Sequence, residues 1–237
     1  MVVLRSFNWL DFESLLRGAL WTIVLCVAAG AAGTVLGLVL GVASSSPSRV
    51  ARWVASSYVL LIRGIPLLVI VFFAYFGIPL MFPNVDLSAF LTAVIALTVF
   101  ASAYMAEIFR GSINAVPRGQ TEAAQALGLS YGRRLRFVIL PQAMRIAVPP
   151  GIGFLIALIK DSSLVTVIGF MELTRSGTTV SNLTAQPIIT YLVVAVLYFV
   201  ICYGVSRLGH WYETRSGSRP EQLDPENQPA ALQLEGV

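Results

Sequence analysis

The chain has 237 residues, of which 57% are hydrophobic and 12% are charged, whereas soluble domains carry about 25% charged residues. This composition excludes a soluble globular core and predicts a polytopic membrane protein with one compact domain. The formal net charge is +4 and Lys160 is the single lysine. In such a protein the placement of the arginines matters more than their sum.

The first predicted element is an interfacial segment, residues 1–17, in which charged residues alternate with aromatic ones. Residues 18–42 follow as a long apolar run without a charge, and about 20 such residues cross the hydrocarbon layer. This run is the first predicted span. Its glycines recur at spacings of three and four, which predicts close approach of another helix. They are Gly30, Gly33, Gly37 and Gly41.

The second predicted span, residues 55–76, is interrupted by Arg63-Gly64-Ile65-Pro66. Glycine and proline inside a span leave backbone groups that protein or water must satisfy. An arginine facing lipid at this depth would be costly. Arg63 therefore lies either near an interface or along a cavity.

Three further spans are predicted at residues 89–109, 143–170 and 187–208. The fourth span is expected to be disturbed in its first part by Pro149-Pro150-Gly151, and Lys160 and Asp161 lie near its middle. Residues 172–186 are expected to form a polar loop. The tail, residues 213–237, is rich in Pro, Gln and Glu and is predicted to be disordered. The permease-like membrane domain thus covers residues 18–212.

The arginines predict the orientation of these spans. Eleven of the 16 lysine and arginine residues lie in the loop at 44–52, the polar segment between the third and fourth spans, and the tail, while three lie on the opposite side. The positive-inside rule assigns the richer side to the cytoplasm. The N-terminus is then outside and the C-terminus inside, which requires an odd number of spans, and five satisfies it.

The polar segment at 110–141 contains the most informative local pattern. Residues 120–127 are rich in helix formers, and Gly128 stands where a left-handed C-terminal cap is expected. Ser130 can cap a second helix that begins near Tyr131, and Pro141 is expected to end it. Two such short helices are unstable alone in water, so we expect them to rest on the membrane core or on a partner.

The apolar side chains of the first short helix indicate a docking stripe, because Ala123, Ala124 and Leu127 are spaced to share one face. An ordinary solvated loop is the competing interpretation. A DNA-reading helix-turn-helix also fits the pattern, but membrane-length segments flank it on both sides. From the residues alone, the segment is a docking loop without a defined partner.

At this point the chain resembles the permease subunits of ABC importers, in particular those for polar amino acids. The resemblance covers roughly residues 10 to 212 and rests on five ordered motifs. They are Glu122-Ala123-Ala124 followed by Gly128 and Ile139-Leu140-Pro141; Arg63-Gly64-Ile65-Pro66-Leu67-Leu68; Ala106-Glu107-Ile108-Phe109-Arg110-Gly111; Leu140-Pro141-Gln142-Ala143; and Lys160-Asp161-Ser162-Ser163-Leu164.

The resemblance implies an all-α type I importer membrane domain of about five transmembrane helices in the bacterial inner membrane. It implies an ATP-driven importer of a polar amino acid, and the chain itself is then a transport subunit and not an enzyme. It also implies that the segment from Glu122 to Leu129 is a coupling helix pressed into a cytoplasmic ATPase. The coupling residues are then Glu122, Ala123, Ala124, Leu127, Gly128 and Leu129.

Other chains must complete such a machine, because the sequence contains neither GxxxxGKS nor GxxxxGKT to bind a nucleotide. The resemblance implies an ATPase dimer that binds ATP and magnesium, an extracytoplasmic solute-binding protein, and a second permease that is either identical or a similar paralogue. No cofactor in this chain and no nucleic-acid partner are expected. An ion-coupled carrier or channel is the alternative, and it would be favoured by an inverted repeat, which the sequence does not display.

The candidate substrate site centres on Lys160 and Asp161, because ionisable residues inside a span indicate function. Their ammonium and carboxylate groups could pair with the two charged groups of a zwitterionic amino acid. Equally, they could form a structural pair. Hydroxyl groups from Ser162, Ser163 and Thr166 could assist, and Arg63 is a further candidate.

Overall fold

The computed structural model describes residues 6–82, 84 and 87–216. The described part of the chain is helical and contains no strand. Part of the predicted lead-in (residues 1–5) and most of the predicted tail (217–237) lie outside the described residues. The helices are α1 (Trp9–Ser44), α2 (Arg49–Arg63), α3 (Leu67–Met81), α4 (Ala89–Ala115), α5 (Arg118–Ala126), α6 (Tyr131–Ile168), α7 (Leu173–Thr184) and α8 (Pro187–Ser216).

Four of these helices, α1, α4, α6 and α8, are long and apolar enough to cross a membrane, and α2 with α3 forms a broken fifth span. The two halves of the broken span meet at an angle of 100°. The break falls at Gly64 and Pro66, where proline lacks the N–H that would continue the helix. The predictions of about five spans and of an interruption after Arg63 are therefore confirmed.

Helix α1 begins inside the segment predicted as an interfacial lead-in. The side chain of Asn8 accepts a hydrogen bond from the Asp11 backbone N–H at 3.2 Å, and the Asp11 carboxylate accepts one from the Asn8 N–H at 3.0 Å. This reciprocal arrangement is a capping box, which satisfies two of the free donors of the first turn. The first span is consequently a single helix that extends from Trp9 to Ser44.

The predicted polar loop at residues 172–186 is wrong, because it contains helix α7. Its hydroxyl side chains are satisfied inside the helix: Thr178 and Thr179 each donate to the carbonyl four residues earlier, at 3.0 Å. Leu173 and Val180, two turns apart, are buried against the rest of the protein. The Ser- and Thr-rich composition therefore belongs to an amphipathic helix.

The expected end of the second short helix at Pro141 is also wrong, because α6 continues without interruption from Tyr131 to Ile168. A wide turn with π-helical hydrogen bonding covers Leu135–Ile139, and a new α-helical segment begins at Leu140. Pro141 therefore occupies a first-turn position, where the missing N–H costs no intrahelical bond. The same helix also continues through Pro149 and Pro150.

The glycines of α1 pack directly on α4. A Cβ atom added to Gly33 would lie 2.5 Å from the Cβ of Ala101, and one added to Gly37 would lie 2.5 Å from the Cβ of Met105. The next turn repeats the pattern, with Gly41 against Phe109 at 2.7 Å. Because residue numbers rise together along the two helices, α1 and α4 run parallel. The close approach predicted from the glycine spacing is present.

We expect Gly33→Ala to destabilise the protein, because its new methyl group would overlap Ala101 and both backbones would have to separate. Such overpacking costs about 1–3 kcal/mol. The measurement is the midpoint of thermal unfolding in detergent. Gly204→Ala in α8, where an added Cβ meets nothing within 4 Å, is the matched control and should not lower it. Equal midpoints for the two variants would contradict the packing argument.

The main apolar core lies where α1, α3, α4 and α6 meet. Representative buried side chains are Leu25, Val71, Leu97 and Leu158. Helix α8 lies at the periphery, and most of its large apolar side chains are exposed in the isolated chain. This face is left for lipid or for another protein chain.

Candidate functional site

Helix α5 ends in a fixed backbone motif. The Gly128 N–H donates to the Gln125 carbonyl at 2.8 Å, and the Leu129 N–H donates to the Ala124 carbonyl at 3.1 Å. Gly128 has φ of +72°, the left-handed conformation that glycine adopts without strain. These bonds define a Schellman motif, so the predicted C-terminal cap at Gly128 is confirmed.

The side chains of α5 face two ways, which corrects the predicted single docking stripe. Ala124 is 3% exposed and packs inward. Ala123 and Glu122 are exposed, and Leu127 is 79% exposed. A leucine this exposed at the end of a capped helix is a protruding apolar group, so the outward surface consists of Glu122, Ala123, Leu127 and Gly128.

The inward side of α5 rests on the ends of α4 and α6. Val116, Ile139 and Ala143 form a buried cluster there, and the Gln142 amide donates to the Gln120 side-chain oxygen at 3.3 Å. Ser130 occupies the N-cap position of α6, but its side chain makes no capping bond. The short helix α5 therefore obtains its stability from the membrane domain, as its length requires.

A cleft of about 510 Å³ opens between α4, α5 and α6. Arg118, Glu122 and Gln125 of α5 line it together with Arg134 of α6. Ser45, which follows α1, also lines this cleft. The end of α1, the docking segment and the start of α6 therefore lie together at one end of the molecule.

The candidate substrate residues of α6 do not share one surface. Lys160 and Ser163 line a cleft of about 560 Å³ with Thr174, Tyr198 and Cys202. Asp161 is half-buried and is not part of that lining. Successive residues of a helix point about 100° apart, so neighbours in sequence face different directions.

Two other candidates lie in different surroundings. Ser162 is fully buried and donates its hydroxyl hydrogen bond to the Ile159 carbonyl at 2.7 Å. Thr166 is engaged with a buried carboxylate described below. Arg63, at the end of α2, lies over the Tyr104 ring with 5.2 Å between the guanidinium carbon and the ring centroid. Among the five substrate candidates, only Lys160 and Ser163 line the α6–α8 cleft.

Glu172 is a polar centre whose importance sequence analysis missed. It is fully buried, and each of its carboxylate oxygens accepts two hydrogen bonds. Oε1 accepts from the Thr166 hydroxyl at 2.9 Å and the Arg175 N–H at 2.7 Å. Oε2 accepts from the Thr174 N–H at 2.7 Å and the Tyr198 hydroxyl at 3.0 Å. One side chain thus joins α6, α7 and α8.

The environment of Glu172 acts on its acidity in two directions. Burial raises the pKa of this carboxyl above its ordinary value, and hydrogen bonds to the charged form oppose the rise. Two of its partners, Thr174 and Tyr198, also line the cleft that contains Lys160. The sequence signal was present but weak: a carboxylate directly before a run of Ser and Thr is a helix N-cap pattern.

Together, the broken span, the bundle of long apolar helices and the protruding capped helix define a membrane-spanning transport subunit. Residues 33–217 match the family model described as "Binding-protein-dependent transport system inner membrane component". The chain belongs to this family. It is the non-catalytic, multi-pass permease subunit of an ABC importer in the inner membrane, and in this family the ATPase is a separate chain.

Curated relatives match over most of their length. The L-cystine transport system permease TcyB of Bacillus subtilis (strain 168) is 40% identical over 208 residues, which are 86% of this chain and 88% of that protein. The glutamine transport system permease GlnP of Escherichia coli (strain K12) is 38% identical over 196 residues, 83% and 90% respectively. The probable amino-acid ABC transporter permease YckA of B. subtilis is 38% identical over 192 residues, 81% and 84%.

Solved structures share the fold. A chain of an amino acid ABC transporter crystallised with histidines has a TM-score of 0.80 and 34% identity, with 89% of this chain and all of that chain covered. A chain of the inward-facing MetNI methionine ABC transporter has a TM-score of 0.77 and 23% identity, with 90% and 100% covered. The prediction of a type I importer membrane domain is therefore confirmed.

Proposed function

We propose that this permease subunit carries a polar amino acid inward and is driven through residues 120–141 by a cytoplasmic ATPase dimer that binds ATP and magnesium. The observation that carries the proposal is the exposed end of α5, where Leu127 protrudes beside the left-handed turn at Gly128. An apolar knob on a rigidly capped helix suits insertion into a groove of a partner. The substrate class is proposed from the relatives, whose names specify L-cystine and glutamine.

The proposed orientation has the N-terminus outside and the C-terminus in the cytoplasm. In its favour, α1 and α4 run parallel, and Ser45 lines the same cleft as Arg118 of α5. The basic loop after α1 and the basic docking segment thus belong to one side. The positive-inside rule makes that side cytoplasmic.

The proposed assembly contains two permease chains, either identical or paralogous, and an extracytoplasmic binding protein that delivers the solute. Lys160 is exposed in the isolated chain although it lies in the middle of the apolar part of α6. An ammonium group in contact with lipid at that depth is costly. A second permease subunit or an aqueous pathway would therefore cover this face.

The proposed solute site is centred on Lys160, whose ammonium would bind the carboxylate of the amino acid. Ser163 would donate from the same cleft, and Asp161 would receive the amino group on the pathway side. Ser162 would act indirectly by fixing the turn from the interior. Arg63 would contribute from the neighbouring surface of α4.

We expect Lys160→Ala to lower solute uptake by at least about tenfold, because a charged group paired with a carboxylate is worth more than one order of magnitude in affinity. The experiment uses the complex co-purified from native membranes, with every chain identified by mass and reconstituted with its binding protein. Uptake of radiolabelled L-cystine, L-glutamine and L-arginine is measured with ATP inside.

Arg207→Ala is the control, because it removes an exposed positive charge from the far part of α8. It should retain uptake, and both variants should retain basal ATP hydrolysis. Wild-type uptake of none of the three amino acids would overturn the substrate class. Full uptake by the Lys160 variant would remove that residue from the site.

A further inference from the structure

Three aromatic rings form an aromatic shelf between α4 and α6. The shelf consists of Phe100, Tyr104 and Phe154. The Tyr104 and Phe154 rings are stacked, with centroids 5.3 Å apart and an interplanar angle of 12°. Phe100 lies 4.6 Å from Tyr104 and completes the shelf. A stack of this kind is a rigid surface that can support a flat cationic group.

The guanidinium of Arg63 lies on this shelf. Its central carbon is 5.2 Å from the Tyr104 centroid, within the range of a cation–π contact. Arg63 is the last residue of α2, directly before the 100° break in the second span. The ring contact therefore holds a charged side chain at the point where the backbone changes direction.

The nearest acidic group does not neutralise Arg63 by contact. Glu107 is paired with Arg110, whose Nε lies 3.0 Å from the Glu107 carboxylate. Among the described residues, no hydrogen bond or ion pair engages the guanidinium of Arg63. Its forked N–H groups are directed away from the ring face, and this geometry matches a carboxylate.

The shelf lies on the loop side of Lys160. Phe154 precedes Lys160 by six residues on α6, which corresponds to about 9 Å along a helix. The numbering of α6 runs from the docking segment towards the outer end, so Arg63 lies between Lys160 and the coupling segment. Arg63 and Lys160 are two cationic groups at successive depths.

We propose that Arg63 forms a second carboxylate-binding station, which receives the amino acid after it leaves Lys160 and before it reaches the cytoplasm. This inference rests on the proposed function, since it requires a solute with a free carboxylate. Tyr104 is the positioning residue, because its ring fixes the direction of the guanidinium. Lys160 then governs binding affinity, while Arg63 governs the yield of uptake per ATP hydrolysed.

The test compares binding with turnover in the complete complex. Binding of radiolabelled L-glutamine, L-cystine and L-arginine is measured in nanodiscs, and uptake per ATP is measured in proteoliposomes. Arg63→Gln should keep binding within about twofold and lower uptake per ATP by at least about tenfold. Lys160→Ala should lower binding itself by at least about tenfold. Arg63→Lys keeps the charge without the fork and should lie between wild type and Arg63→Gln.

A pair of variants at Tyr104 repeats the test without removing the charge. Tyr104→Phe preserves the ring and should retain uptake per ATP within about twofold, whereas Tyr104→Leu removes the cation–π contact and should behave like Arg63→Gln. Unchanged uptake per ATP in Arg63→Gln would overturn the second station. So would a loss of binding as large as that of Lys160→Ala, since one shared pocket would then explain both residues.

A purely structural role for Arg63 predicts a different pattern. Thermal stability, basal ATP hydrolysis and assembly would then fall together in Arg63→Gln and Tyr104→Leu. That result would overturn the inference while wild-type uptake and the Lys160 effect still supported the proposed function. Wild-type transport of none of the three amino acids would instead remove the proposed function and this inference with it.

Discussion

Gly128→Arg is expected to abolish solute uptake while the protein still inserts and folds. An added side chain at Gly128 meets nothing within 4 Å in this chain, so arginine causes no internal overlap. The positive φ adds strain of about 1–2 kcal/mol for a residue other than glycine, too little to unfold a bundle of this size. The remaining effect must come from bulk and charge placed on the docking surface beside Leu127.

Two control variants separate strain from docking. Gly128→Ala imposes the same backbone strain with only a methyl group, and it should keep most of the uptake. Gly132→Arg adds the same side chain to an exposed glycine outside the capped turn, where nothing lies within 4 Å. The measurements are uptake, stimulation of ATP hydrolysis by loaded binding protein, and co-purification of the ATPase. Normal transport by Gly128→Arg would contradict the docking assignment.

Glu172→Gln is expected to destabilise the protein although it changes only one atom of the side chain. All four groups around the carboxylate are hydrogen-bond donors, and two of them are the backbone N–H groups of Thr174 and Arg175. The amide of glutamine offers a single acceptor oxygen, so its NH₂ group would face donors. An unpaired buried donor costs about 1–3 kcal/mol.

Glu13→Gln is the matched control, because Glu13 makes an exposed pair with Arg17 in α1, and such pairs are worth about 0.5 kcal/mol. Thermal unfolding of the purified chain and the yield of assembled complex are the readouts. We expect a clear loss in Glu172→Gln and almost none in Glu13→Gln. Equal midpoints for the two variants would show that the carboxylate is not needed for stability.

Features governed by neighbouring residues could be predicted from the sequence. The spans follow from the length of apolar runs, the break after Arg63 from glycine and proline, and the cap at Gly128 from the residues around it. The exception, Pro141, is also local in origin: a wide turn before it resets the helix, and the sequence does not announce that turn.

Features that depend on tertiary contacts could not be predicted. Glu172 has an ordinary sequence environment, and its hydroxyl partners Thr166 and Tyr198 come from α6 and α8. Lys160 and Asp161 are adjacent in sequence, yet only the first lines the α6–α8 cleft. Which side chain of a helix reaches a cleft depends on rotation about the helix axis, which packing against other helices determines.

The parallel contact between α1 and α4 has a mechanical consequence. Glycines seated against the neighbouring backbone on three successive turns prevent one helix from sliding along the other by less than a full turn. The two helices therefore move as one strut across the membrane. Because only Val116 and Pro117 separate α4 from α5, a force applied to α5 at one surface is delivered to the opposite surface with little loss, and bending is left to the break between α2 and α3.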